Sequence, residues 1–172
     1  MLDNPDFIKH LLLERPADEF LFKRFPLLSV SGISMEPLLK QGDRIFIETS
    51  SDYRPGDILV FLYHNNVFLI HRLLCIEGSG PSAIYLCKGD NAYRLEKVMA
   101  QQIVGRATAF LRSDKRYILP KSDVNYLIAR LSLLVYYTFQ NATGKNLEET
   151  KKSSAYLAFQ QLLEKTAYDH SI

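Results

Sequence analysis

A loop hydroxyl and an imidazole in an apolar run are the two groups of this chain that could together do chemistry. Ser34 lies in "SVSGISMEPLLKQGDRIFIE" (residues 29–48), with Met35 after it, Pro37 further on and a Gly-Asp pair before a β-branched run. Taken alone, such a serine is a turn or cap residue whose hydroxyl bonds nearby backbone. It becomes a nucleophile only when an adjacent base takes its proton. Histidine suits that task, because an ordinary imidazole titrates near 6.5. His71 stands in the apolar run "FLIHRLL", a rigid platform if the run is a strand. It could equally be a structural histidine bonded to backbone. Spacing alone does not bring Ser34 and His71 together. The Gly-Asp pairs at 42–43, 56–57 and 89–90 each read as turns. The two cysteines and four histidines show no ligand spacing, so no metal or cofactor is expected.

The elements that must position these residues are mostly strands. "RIFIE" (44–48), "DILVFLY" (57–63), "VFLIHRLLCIE" (67–77), "AIYLCK" (83–88) and "IVGRATAFL" (103–111) are β-branched, aromatic and aliphatic runs of strand length. "RPGD", "HNN", "EGSGPS" and "GDN" stand between them as turns, with "HNN" (64–66) reading as a tight hairpin. Cys75 and Cys87 fall on neighbouring predicted strands and read as two buried thiols. The N-terminus, "MLDNPDFIKHLLLERP", reads as a short helix capped at Asn4, with Pro5 in the first turn.

Beyond "YILPKSD" the pattern becomes helical. Ser122 or Asp123 could cap a helix over 123–140. A second helix is expected over 146–168, with Leu147, Tyr156, Phe159, Leu162 and Leu163 on one apolar face. The run "YLIARLSLLVYYTF" (126–139) is shorter than the roughly 20 residues a membrane span needs. Arg130 within it would cost about 2.5–3.5 kcal/mol at mid-bilayer, so a core helix is expected. No secretory signal is visible, which points to a cytoplasmic chain or one peripheral to the membrane. Arg106, Arg112, Lys115, Arg116 and Lys121 against Asp114 form a basic edge. It reads as solvated, and with 106–140 it could meet anionic lipid peripherally. A net charge of +2 gives no reason to expect nucleic acid, and 47% hydrophobic with 23% charged residues is an ordinary globular composition.

The ordered set Gly-x-Ser-Met-x-Pro (32–37), Gly-Asp (42–43), Pro-Gly-Asp (55–57), His-Arg (71–72), Lys-Gly-Asp-Asn (88–91) and Ile-Val-Gly (103–105) resembles the type I signal peptidases and the related self-cleaving repressor peptidases. The resemblance covers roughly residues 28–112. "IHR" is similar to the branch that uses a histidine base in place of the commoner lysine. The resemblance implies Ser34 as nucleophile, His71 as base and Asp90 as a supporting carboxylate that orients the imidazole or holds the site together. That branch often carries a second carboxylate about six positions on, where Glu96 stands. Of the two, Asp90 is expected against the imidazole, because it lies inside the motif and its shorter side chain loses less freedom. Two departures matter. Gly32 replaces a hydroxyl common two positions before the nucleophile, leaving the oxyanion to backbone N–H groups such as that of Ser34. No membrane helix is expected before the first motif, which makes the chain look like the small anchorless relatives. Met35 is expected to shape an apolar substrate wall.

The expected fold is mainly β (α+β), with coiled sheets implied by the resemblance. An N-terminal helical segment (1–25) precedes a β domain (26–112), and a C-terminal helical extension (113–172) packs on it. The implied function is a serine endopeptidase cleaving a peptide, leader or signal segment through an acyl-enzyme, with small residues before the cleaved bond. A non-catalytic peptide-binding or dimerisation module and a repressor-type regulator are the alternatives. For the latter, the first 28 residues are too few for a helix-turn-helix domain.

Overall fold

The strands form where Ile, Val, Leu and aromatic residues are densest, because branched side chains pack well on a pleated, half-buried surface. The computed structural model describes residues 28–63, 67–119, 123–141 and 154–168. Within them lie β1 (Leu28–Ser29), β2 (Arg44–Glu48), β3 (Ile58–Tyr63), β4 (Val67–Glu77), β5 (Ile84–Lys88), β6 (Leu95–Met99), β7 (Ile103–Arg112) and β8 (Lys115–Ile118). All eight belong to one antiparallel sheet, ordered β1-β2-β7-β3-β4-β5-β6, with β8 also on β7. β2 takes one edge of β7, while β3 and β8 share the other.

The mainly β expectation holds, and five strands lie where their runs placed them, to within a residue at either end. Tyr63 pairs with Val67, so the β3–β4 hairpin also holds, although residues 64–66 lie outside the described residues. Three strands were not expected. β1 is very short. β6, "LEKVM", turns Glu96 and Val98 inward, so a buried carboxylate breaks its apolar alternation. β8, "KRYI", reads as a charged segment. Through it the sheet runs past residue 112, to Ile118.

One core cluster gathers Met35, Leu39, Ile45, Ile47, Ile58 and Phe110 under the β1–β2 loop. Another gathers Leu59, Phe61, Leu73, Cys87, Val98 and Ile103 behind β4. Each fully buried aliphatic or aromatic side chain contributes roughly 1.5–3 kcal/mol of transfer free energy. Cys75 and Cys87 are free thiols, Cys87 buried and Cys75 half-buried. Burial pushes both thiol pKa values up.

Two helices follow, α1 (Asp123–Asn141) and α2 (Ser154–Tyr168). Ile128 of α1 packs with Phe159 and Leu163 of α2, with Leu131, Val135 and Leu162 against them. Arg130 stays on the exposed side of α1. Among the described residues no helix is long and apolar enough to cross a membrane. The expected N-terminal helical segment (1–25), Ser122, Lys121 and Leu147 lie outside the described residues.

The basic edge needs correction. Arg106 is buried, with Asp57 at 3.3 Å and Glu48 at 3.4 Å. Arg112 donates to both carboxylate oxygens of Asp43, at 2.9 and 2.6 Å. The chain thus turns two of these cations inward, onto the aspartates of its first two Gly-Asp turns. Lys115 and Arg116 remain exposed, over the Tyr117 and Phe46 rings respectively.

Candidate active site

The loop between β1 and β2 carries Ser34. It is held from below by Met35 and Leu39, both buried in the core beneath it. Leu39 N–H donates to Met35 O (3.0 Å) and Glu36 N–H to Ile33 O (3.1 Å), and the Glu36–Pro37 peptide is cis. At the far end of the loop, Asp43 accepts from Lys40 N–H (2.8 Å) as well as from Arg112, whose guanidinium also donates to Leu38 O (2.9 Å). Met35 was expected on a substrate wall. At 2% exposure it anchors the loop instead, and Ile33, at 60%, is the apolar side chain presented to solvent beside Ser34.

This anchoring leaves Ser34 half-buried, with Oγ 3.0 Å from His71 Nε2. The imidazole sits on β4 and is almost wholly buried, with the Phe61 ring edge-on at 6.2 Å between centroids. Its other nitrogen, Nδ1, lies 2.9 Å from Glu96 Oε2. A carboxylate accepts, so Nδ1–H donates and Nε2 is left to accept the serine proton. Sheet register explains why Glu96 can reach. Leu73 of β4 pairs with Cys87 of β5, which pairs with Glu96 of β6. His71, two residues before Leu73, shares that face. A glutamate is long enough to reach back to it.

Asp90 was expected against the imidazole, and the structure commits it elsewhere. Arg72 follows His71 and points to the opposite face of β4. Its Nε and Nη2 donate to the two oxygens of Asp90 at 2.8 and 2.7 Å, with both side chains fully buried. Arg72 Nη1 also donates to Gly56 O (3.1 Å) and Asn125 Oδ1 (3.2 Å), tying the pair to α1. Gly56 allows the approach of α1. It has φ +102°, and a Cβ there would lie 2.7–2.8 Å from the Asn125–Tyr126 backbone. The third Gly-Asp aspartate therefore does what the first two do: it receives an arginine.

Arg72 and Lys88 are cross-strand partners, two buried cations side by side, an arrangement that like-charge repulsion disfavours. Burial lowers the Lys88 pKa to about 8, with Arg72 pushing the same way and Asp90 and Glu96 opposing. Its ammonium donates to Gly89 O at 2.9 Å and lies 5.9 Å from the centre of the Phe159 ring.

The turn after β5 closes the site from the other side. Asn91 N–H donates to Ser34 O (2.7 Å) and Asn91 Nδ2 donates to Ile33 O (3.3 Å). Gly89 must be glycine for this approach: a Cβ would fall 2.6 Å from Ser34 O and 3.0 Å from His71 Nε2. Gly89 and Asn91 were visible in "KGDN" without a role. Tyr156, whose hydroxyl donates to Asn91 Oδ1 at 3.0 Å, read only as part of an apolar helix face.

The structure thus brings Ser34, His71 and Glu96 into one hydrogen-bonded line running from a half-buried hydroxyl into the sheet. Such a line can take a proton from a hydroxyl and stabilise the imidazolium that results. Asp90 is a neighbour of that line and not a member of it. Among the described residues no group of three or more His, Cys, Asp or Glu side chains is placed to hold a metal ion.

Residues 16–108 match the model of a family described as Peptidase S24-like. Among the relatives is the signal peptidase complex catalytic subunit SEC11 of Pyricularia oryzae, 25% identical over 117 residues, covering 66% of this chain and 62% of that protein. The SEC11 of Scheffersomyces stipitis is 28% identical over 119 residues, 66% of this chain and 70% of its own length. Signal peptidase I W of Bacillus subtilis is 31% identical over 70 residues, 39% and 37% of the two chains. The chain therefore spans less than two thirds of the length of the Pyricularia protein.

Proposed function

The chain belongs to the Peptidase S24-like family, and on that premise we propose that it is a serine endopeptidase of signal-peptidase type working through Ser34, His71 and Glu96. Ser34 Oγ attacks the scissile carbonyl carbon while His71 Nε2 takes its proton. The imidazolium then gives that proton to the leaving amine, and the C–N bond breaks to leave an ester on Ser34. Water, deprotonated by the same imidazole, hydrolyses the ester and restores the hydroxyl.

Glu96 holds the imidazole in the tautomer that leaves Nε2 free and stabilises the imidazolium. Asp90 supports the site through Arg72. The backbone N–H of Ser34 is the oxyanion donor, since Gly32 has no hydroxyl to offer. The substrate is an extended peptide, a leader or signal segment with small residues before the cleaved bond, as the resemblance to signal peptidases implies. Lys88 is the other nearby basic group. Its ammonium donates to Gly89 O, whereas Ser34 Oγ is 3.0 Å from His71 Nε2.

The observation that carries this reading is the Ser34–His71–Glu96 line. A quenched-fluorescence library of extended peptides with alanine, glycine or serine before the central bond tests it. The full chain is expected to cleave members of the library, and Ser34→Ala is expected to lose that cleavage at unchanged melting temperature. Equal cleavage by the two proteins would sink the proposal.

A further inference from the structure

The family match ends at residue 108, yet α2 reaches the segment that braces the serine. We propose that Tyr156 is a positioning residue for the Ser34 loop, acting through Asn91. The kinetic part of this inference rests on Ser34 being the nucleophile; the structural part does not.

The chain of contacts is short. Gln160 Nε2 donates to the Tyr156 hydroxyl oxygen at 3.1 Å, and that hydroxyl directs its own proton to Asn91 Oδ1 at 3.0 Å. With its oxygen held by Tyr156, the Asn91 amide can present only its NH2 to Ile33 O. A flipped amide would set two carbonyl oxygens against each other. The Nδ2–Ile33 bond is exposed and 3.3 Å long, so water competes for both partners and a preset amide matters most there. The Asn91 N–H fastens the adjacent carbonyl, that of Ser34, at 2.7 Å. Asn91 thus grips two successive carbonyls of the nucleophile loop, and Tyr156 sets the direction of one grip.

α2 is itself firmly placed for this. The Tyr156 ring stacks on Tyr93, with 5.6 Å between centroids and 27° between planes. One turn on, Phe159 is buried with Ile128 and Leu163 and meets Lys88 at the other end of the same "KGDN" turn. The helix therefore seats both ends of the turn that carries Gly89 against Ser34 and His71.

Tyr156→Phe in the full chain removes the hydroxyl and keeps the ring. Peptide hydrolysis is expected to lose about three- to tenfold in kcat, the scale of one hydrogen bond, with KM unchanged. Amide exchange at Asn91 and across residues 31–36 is expected to speed up, at unchanged melting temperature. In an Asn91→Ala background the same substitution should cost almost nothing further, because the two residues act in series. Wild-type kcat together with wild-type exchange in Tyr156→Phe would overturn the inference. So would a full additional loss in the double variant, which would mean that Tyr156 does not act through Asn91. A chain that hydrolyses no peptide would count against the proposed function, and the exchange measurement would still decide this inference.

Discussion

Glu96 Oε2 lies 2.9 Å from His71 Nδ1, reaching from β6 to β4 across the buried face of the sheet. Both side chains are nearly inaccessible, at 3% and 6%, so no water competes for the bond. Glu96→Gln keeps the size and removes the obligatory acceptor. Its NH2 can donate to Nδ1 and hold the imidazole in the wrong tautomer. Loss of kcat by about 10²–10⁴-fold with little change in KM is expected. Glu96→Asp, one methylene short, should recover part of it. Wild-type kcat in Glu96→Gln would remove Glu96 from the mechanism.

Asp90 is expected to behave differently. Asp90→Asn leaves the buried Arg72 guanidinium without its counter-charge and beside Lys88. Breaking such a pair costs about 3–5 kcal/mol. Chemical denaturation should show that loss, and the activity that remains should recover on cooling. An unchanged unfolding midpoint with a collapsed kcat would give Asp90 the role assigned here to Glu96.

The division of labour between these two acids was the least legible part of the site. Ser34, His71 and the long strands could be read from motif and apolar runs. Which carboxylate meets the imidazole depends on register across three strands, and β6 was hidden because one of its two inward residues is Glu96. The basic edge misled for a related reason: a cation that faces an internal aspartate looks in sequence like a cation in water, as Arg106 and Arg112 do. Tyr156 looked like core because its ring is core, and its hydroxyl matters only once α2 meets the "KGDN" turn.

Lys88 supplies a test by pH. Its folded pKa is about 8 against 10.5 for a free lysine. Between those values the unfolded chain holds the proton more tightly than the folded one, so stability from this group rises with pH from about 8 and is complete above 10.5. It is lost as pH drops from 10.5 towards 8. Lys88→Met has no such group. The difference in unfolding free energy, wild type minus Lys88→Met, should therefore increase across this window, by on the order of 3 kcal/mol at most. A flat difference would contradict the burial of the ammonium. Peptide cleavage should survive in Lys88→Met and be lost in His71→Ala; the reverse would make Lys88 the base.

Gly89→Ala probes the close contact directly. The added methyl would sit 2.6 Å from Ser34 O and 3.0 Å from His71 Nε2, so the loop or the ring must move. Misplacement of that order costs about 10²-fold in rate. Steady-state kinetics of this variant should show the loss in kcat. Wild-type kinetics would mean that the Gly89 turn stands farther from the serine than described.

The most direct measurement of the central claim is capture of the acyl-enzyme. The full chain is mixed with an activated ester of a short peptide ending in alanine, quenched in acid within the first turnover, digested and read by mass spectrometry. The account predicts the acyl group on the fragment containing Ser34, absent in Ser34→Ala and formed far more slowly in His71→Ala. An acyl group on another residue, or turnover that persists in Ser34→Ala, would contradict it.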